Sequence, residues 1–267
     1  MHELHKDKYE ILLEPVIQIP FNMLMARSVV VGHVDGRIFV DSCESPKSFY
    51  IVHPYGMAFL CGDSSNEAFN KGLFDYFNGV SSERRKDEWL QAFPRDWDII
   101  INRLVDKNKA VPYSRLNFKL DIAKFYEKYH QADKSQYEVI PTPTDMLFEI
   151  KGRVVPKDYW KSPEQFESLA KAFTVMIDNK PASTAFTSAR HDDKLEIGIE
   201  TVEEYHGKGL GYLACAKLIE YCIDNNIEPV WSCRFENTGS VKLAEKLGFA
   251  EILRMPYYHI PKQPAYY

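Results

Sequence analysis

Apolar and polar positions along the first sixty residues follow a short period, broken by turn-forming residues. Ser28–His33, Arg37–Asp41, Phe49–His53 and Met57–Cys61 are β-rich runs separated at Asp35-Gly36, Ser45-Pro46 and Pro54-Tyr55-Gly56, and they predict strands. After Cys61-Gly62-Asp63 the spacing lengthens. Phe69, Leu73 and Phe77 recur every four residues and predict a helix over Asn66–Phe77, ending near Gly79. Helical spacing continues over Glu83–Phe93, over Asp96–Val105, and over 117–130 through Phe118, Ile122, Phe125 and Tyr129. The polar, aperiodic stretch Gln131–Ser135 marks the expected boundary between a domain 1–135 and a domain 136–267.

Beyond it, Tyr137–Ile140 predicts a strand and Asp145–Ile150 a helix. A second helix starts at Ser162-Pro163-Glu164-Gln165, with serine at the cap, proline in the first turn and glutamine at the third position. Phe173–Ile177, Ser183–Ala189 and Leu195–Val202 predict three strands joined by tight turns. A glycine-rich loop, His206–Gly211, then opens a helix running to about Asn225. A strand at Pro229–Ser232, a helix at Thr238–Leu247 stopped by Gly248, and strands at Phe249–Leu253 and Tyr257–Ile260 complete the series. Hairpins join most of the strands. The expected class is therefore α+β or α/β, with a mixed, mainly antiparallel sheet flanked by helices.

Composition narrows the functions open to such a fold. The chain has 267 residues, 45% apolar and 27% charged, as an ordered protein does. Its net charge is −5 and neither half carries a basic excess, which argues against nucleic acid as a partner. The apolar runs are too short to span a membrane, and MHELHKDKYE has no apolar signal region, so a cytoplasmic protein is expected. Cys43, Cys61, Cys215, Cys222 and Cys233 are odd in number and show no Cys-x-x-Cys pair, and no His-x-x-x-His pair occurs. No metal site is expected, and the cysteines are read as small buried hydrophobes.

The most chemical stretch is Glu203-Glu204-Tyr205-His206-Gly207-Lys208-Gly209-Leu210-Gly211-Tyr212, between a strand and a helix. Alternate glycines permit positive φ and let a ligand approach the backbone. The free amides of the loop and first helical turn then converge on one point, where the helix dipole favours an anion such as phosphate or pyrophosphate. A dinucleotide fingerprint is excluded because Tyr212 stands where its third glycine belongs. A Walker loop is excluded because Gly209 follows Lys208.

The pattern His206-Gly207-Lys208-Gly209-Leu210-Gly211 resembles the Arg/Gln-x-x-Gly-x-Gly/Ala motif of the GNAT superfamily of acyl-CoA-dependent N-acetyltransferases. Asn237-Thr238-Gly239-Ser240, leading to Leu243-Ala244-Glu245-Lys246-Leu247-Gly248-Phe249, matches a second GNAT segment, and the element order over 136–267 is similar to the whole GNAT fold. With a first half of similar size, the chain resembles the two-domain subgroup that includes zwittermicin A resistance acetyltransferases.

The resemblance implies acetyl-CoA as co-substrate, a primary amine of a small molecule as acceptor, and direct attack in a ternary complex. It implies that the amides of His206, Gly207, Lys208, Gly209, Leu210, Gly211 and Tyr212 hold the coenzyme pyrophosphate. Thr201 and Val202, with the preceding Glu200, would serve the pantetheine and thioester, and Asn237 and Ser240 the pantetheine arm. Asparagine is also a good helix cap, a role compatible with that one. The amine must lose a proton before attack. Glu196 and Glu200, four apart on one strand face, are the candidate bases or amine anchors; two solvated carboxylates would show the same spacing.

Two departures stand out. His206 replaces the usual Arg or Gln, and Ala244 occupies the position where many GNAT enzymes carry a tyrosine acid. Tyr258, or its neighbour Tyr257, is the substitute acid to examine. The first half repeats the hairpin-then-helix order with a single glycine at Cys61-Gly62-Asp63-Ser64-Ser65-Asn66, and is expected to be a degenerate GNAT-like copy without a coenzyme site. The alternative to an enzyme is a non-catalytic acyl-CoA-binding regulator.

Overall fold

The computed structural model describes residues 1–262 other than 81–83, 106, 108 and 132–136. They form two compact units, Met1–Arg115 with Arg254–Tyr267, and Leu116–Leu253.

The first unit contains β1 (His2–Glu3), a 3-10 segment (Lys6–Leu12), α1 (Leu13–Ile17), α2 (Leu24–Val30), β2 (Arg37–Val40), β3 (Ser48–Val52), β4 (Met57–Gly62), α3 (Glu67–Phe77), β5 (Glu88–Phe93), α4 (Trp97–Val105) and the start of β6 (Val111–Leu120). β1 to β4 form an antiparallel meander, and β5 lies parallel to β4. Phe69, Leu73, Tyr76 and Phe77 of α3 and Trp97, Ile101 and Leu104 of α4 bury one face of each helix in a core with Phe39, Tyr50 and Leu60.

The second unit holds the remainder of β6, then α5 (Ile122–Gln131), β7 (Glu138–Pro141), α6 (Thr144–Glu149), α7 (Pro163–Leu169), β8 (Ala172–Ile177), β9 (Lys180–His191), β10 (Lys194–Thr201), α8 (Leu210–Asp224), β11 (Glu228–Arg234), α9 (Thr238–Lys246) and most of β12 (Phe249–Ile260). β7 to β10 are antiparallel, and β11 lies parallel to β10. Ala214, Cys215, Leu218, Ile219 and Cys222 of α8 are buried with Val175, Ala182, Ala185, Leu195, Ile197 and Trp231 of the sheet. Small residues on that face let the helix close on the strands. From β2 to α4 and from β8 to α9 the two units thus run the same order, three antiparallel strands, a helix, a parallel strand and a helix, and the architecture is a mixed, mainly antiparallel α+β fold.

The helix starts follow local chemistry. Ser162 Oγ accepts from the Gln165 amide at 3.3 Å, and Gln165 Oε1 accepts from the Lys161 amide at 3.0 Å. Asn66 and Asn237 cap α3 and α9 through the Phe69 and Ser240 amides.

Several expectations are corrected. Val29 and Val30, read as part of a strand, lie in α2, where six of seven residues are buried; packing overrides β-branched propensity. Glu88–Phe93, expected as helix, is β5, and Glu83 lies outside the described residues. Its polar first residue hid the strand. Glu88 is buried and accepts from Tyr50 Oη at 2.6 Å and Tyr76 Oη at 2.5 Å, with Arg84 Nε at 3.7 Å. Burial raises its carboxyl above the usual range. The expected helix over 117–130 divides into the end of β6 and α5, and the two final strands are the single β12. The compact units do not divide at 135, and residues 132–136 of that expected boundary lie outside the described residues. Both divisions fall inside long strands, and the first unit takes in the described residues from 254 onward, with Tyr258–Ile260 pairing antiparallel to β5. Local periodicity carries no signal of such an exchange.

Candidate functional site

β10 and β11 are paired in parallel only at Lys194–Glu196 with Glu228–Val230, yet β10 continues to Thr201 and β11 to Arg234. Past Glu196 the backbone edges of the two strands part, leaving polar groups open beyond the carboxyl ends of parallel strands, where α/β sheets bind ligands.

The glycine loop follows the open end of β10. Gly207 and Gly209 have φ of +78° and +80°, and a Cβ built on either would meet nothing within 4 Å. Their conformation needs glycine, and the space in front of them is clear. Gly209 caps α8 with no side-chain bond, and the amides of residues 207–211 donate to no backbone carbonyl among the described residues. Uncommitted amides at the start of a fifteen-residue helix make a cradle suited to a phosphate-bearing ligand. His206 Nε2 donates to the Thr201 carbonyl at 2.8 Å, tying the loop to the end of β10. Lys208 Nζ stands 4.9 Å from the centre of the Tyr205 ring. Gly211 is different: a Cβ there would make ordinary contacts of 3.5–3.8 Å with Thr201, Leu243 and Ile199. Leu210 is buried, and the Tyr212 amide donates to the Gly209 carbonyl at 3.1 Å while its ring packs on the core.

A cavity of about 770 Å³ adjoins this region, lined by Met146, Glu149, Lys151, Gly152, Arg153, Pro181, Ser183, Thr184, Glu200, Thr201, Val202, Glu203 and His206, among others. The structure therefore brings together Glu200, Thr201, Val202 and His206. Glu200 Oε2 accepts from the amides of Arg153 at 3.1 Å and Val154 at 2.8 Å.

Other candidates are placed apart from it. Glu196 shares the Glu200 face of β10 but is buried, accepts from Ser232 Oγ at 3.0 Å and does not line the cavity. Ser240 is engaged twice, its amide capped by Asn237 and its hydroxyl accepting from the Trp231 indole at 3.2 Å. Tyr258 belongs to the first unit and is not among the residues lining the cavity. It is buried in the core of the first unit, and its hydroxyl donates to Asp98 at 3.1 Å. Burial, then Asp98, raises that phenol above its ordinary range. Tyr257 is likewise buried, donating to Met57 Sδ. Burial pushes the Cys215 thiol up, and that of Cys222 to about 12, so neither is an available nucleophile at neutral pH.

Sequence reasoning missed Gly152, Arg153 and Val154. Lys151-Gly152-Arg153 lies in a polar loop between α6 and α7, and its contribution to the site comes from backbone amides, which no residue pattern announces. Among the described residues no group of three His, Cys, Asp or Glu could hold a metal ion, and no helix is long and apolar enough to cross a membrane.

A parted parallel strand pair, a glycine cradle and an adjoining cavity that holds the Glu200 carboxylate define an acyltransferase-like α+β protein. The chain belongs to the GNAT acetyltransferase family, whose match runs over residues 18–258. It is 27% identical over 266 residues to the uncharacterized N-acetyltransferase YdfB of Bacillus subtilis (strain 168), covering 97% of this chain and 98% of that one. Its fold is similar to that of a GCN5-related N-acetyltransferase-like protein from Streptococcus suis 89/1591, with a TM-score of 0.71 at 20% identity over 95% and 99% of the two chains. It is also similar to a tandem GNAT protein from the clavulanic acid biosynthesis pathway, with a TM-score of 0.59 at 12% identity over 99% and 98%. The protein is a GNAT-type N-acetyltransferase.

Proposed function

We propose that this enzyme moves an acetyl group from acetyl-CoA to a primary amine of a small molecule, by direct attack within a ternary complex. The observation that carries the proposal is the open amide cradle at Gly207–Gly211, next to a cavity that contains the Glu200 carboxylate. Acetyl-CoA supplies the activated acetyl group as a thioester.

In this reading the amides of Gly207 to Gly211 bind the coenzyme pyrophosphate, and the lack of side chains at 207 and 209 lets it approach the backbone. The unpaired edge of β10 near Glu200–Val202 hydrogen-bonds the pantetheine amides, as an added strand would. Asn237 serves the same arm while capping α9. Glu200 anchors the acceptor ammonium and takes its proton, freeing the nitrogen lone pair for attack on the thioester carbonyl. Ala244 is fully buried, so no side-chain acid comes from that position. The coenzyme leaves as a thiolate, a tolerable leaving group without one.

The first unit acts as a degenerate copy that binds no coenzyme, the arrangement of the zwittermicin A resistance subgroup. Its equivalent turn supports this. A Cβ on Gly62 would lie 1.9 Å from the Lys47 carbonyl oxygen, and Asp63 bonds the amide and hydroxyl of Ser65, so the turn is filled by its own chain.

The test is release of coenzyme A thiol from acetyl-CoA with a panel of primary amines. Amine-dependent release that is lost in Glu200→Gln is expected. Acetyl-CoA binding without release by any amine favours the regulator, and absence of binding refutes both readings.

A further inference from the structure

The Glu200 carboxylate is held by main chain. Arg153 and Val154 direct their amides at the same oxygen, Oε2, at 3.1 and 2.8 Å, and together they fill the two lone pairs of a carboxylate oxygen. Oε1 has no partner among the described residues. Gly152, the residue before this pair, lies over the carboxyl group: a Cβ there would fall 2.4 Å from Glu200 Cδ and 2.6 Å from Oε1. That is closer than carbon and oxygen can approach, so any side chain at 152 must push the carboxyl off the two amides.

We propose that Gly152–Val154 is a backbone clamp for Glu200, with Gly152 a positioning residue, and that it leaves Oε1 as the point where the acceptor ammonium binds. The proposal rests on the reading of Glu200 as amine anchor and base. Two consequences distinguish a clamp from a chance contact. A rigid carboxylate with one oxygen already occupied accepts a nitrogen from a single direction, which favours one approach to the thioester over others. Moreover, both donors are backbone groups, so the clamp does not depend on the side chains of Arg153 and Val154, whereas a side chain at residue 152 displaces the carboxyl group.

Three substitutions separate charge from position. Gly152→Ala keeps the glutamate and displaces it. Glu200→Asp keeps the charge on a side chain one methylene shorter, which does not reach the amides. Glu200→Gln keeps an oxygen for the amides and loses the charge. The first measurement needs no acceptor: nitrogen–proton NMR of the full chain during acid titration. The Arg153 and Val154 amide protons are expected to follow one carboxylate titration, which vanishes in Glu200→Gln and in Gly152→Ala. The same titration persisting in both variants would overturn the clamp.

The second measurement uses acetyl-CoA and the primary amine giving the fastest thiol release. Gly152→Ala and Glu200→Asp are expected to raise the amine KM tenfold or more, with the acetyl-CoA Kd held within twofold of wild type. An unchanged amine KM and kcat in Gly152→Ala would overturn the positioning role and leave acetyl transfer standing. If the wild-type enzyme releases thiol with no amine, acetyl transfer and the positioning role fall together, while the amide titration still decides whether the clamp exists.

Discussion

Replacing Gly209 and Gly211 by alanine, one at a time, separates a ligand-facing glycine from a packing glycine two residues further on. Gly209 has φ +80°, and a methyl there would stand in open space, so the loss in the free protein is conformational alone, about 1–2 kcal/mol. Gly211 is within α8 and its added methyl would make ordinary contacts. Relief of glycine's excess backbone entropy in a helix is worth about 0.5–1 kcal/mol, so Gly211→Ala should be neutral or stabilising. The two variants are thus expected to differ by roughly 2 kcal/mol in opposite directions, a few degrees in melting temperature for a unit of this size.

Acetyl-CoA then reverses what sterics in the free protein allow. At 100 times Kd, binding adds about 2.7 kcal/mol to wild-type stability. The Gly209 methyl enters the cradle itself, so affinity should fall at least tenfold, about 1.4 kcal/mol, and at least about half of the ligand-induced melting shift should go with it. Gly211→Ala should keep the shift. Thermal unfolding with and without acetyl-CoA, followed by near-UV circular dichroism, reads both quantities. A Gly209→Ala protein with the wild-type shift would refute the assignment of the cradle.

Gly62→Ala, at a glycine packed against the Lys47 carbonyl, should destabilise the first unit by about 3 kcal/mol or more and leave the acetyl-CoA Kd unchanged; calorimetric titration of the folded fraction checks this. Tyr76→Phe removes one donor from buried Glu88 and should cost about 1–3 kcal/mol in urea unfolding. His53 is buried, and desolvation lowers its imidazole to about 3. The folded chain therefore holds it neutral while the unfolded chain protonates it below about 6.5, so stability should fall by up to about 1.4 kcal/mol per pH unit from pH 6.5 toward 3. Urea midpoints across that window should fall less steeply in His53→Gln.

What the sequence disclosed and what it hid divide along a physical line. Features made by neighbouring residues were legible: the cap at Ser162, the spacing of α3, the glycines before α8, and the Asn237 cap. Features made by distant partners were not. Val29 and Val30 are as compatible with a strand as with a buried helix until their neighbours are known. Glu88 conceals a strand because its partners, Tyr50 and Tyr76, come from elsewhere in the chain. Inclusion of the end of β12, from Arg254 onward, in the first unit leaves no mark in the local pattern, which is why Tyr258 was a candidate acid although its hydroxyl is taken by Asp98. Glu200, which lines the cavity, was a candidate with Glu196 by their spacing on one strand, whereas the amides that hold it were invisible, being groups that every residue but proline carries.

The central claim, acetyl transfer to an amine at Glu200, is tested most directly by thiol release from acetyl-CoA across a panel of primary amines, with wild-type and Glu200→Gln proteins side by side. The account predicts release that depends on the amine, is lost in Glu200→Gln, and leaves acetyl-CoA affinity unchanged in that variant. Release by Glu200→Gln at the wild-type rate, or no release with any amine by the wild-type protein, would contradict it.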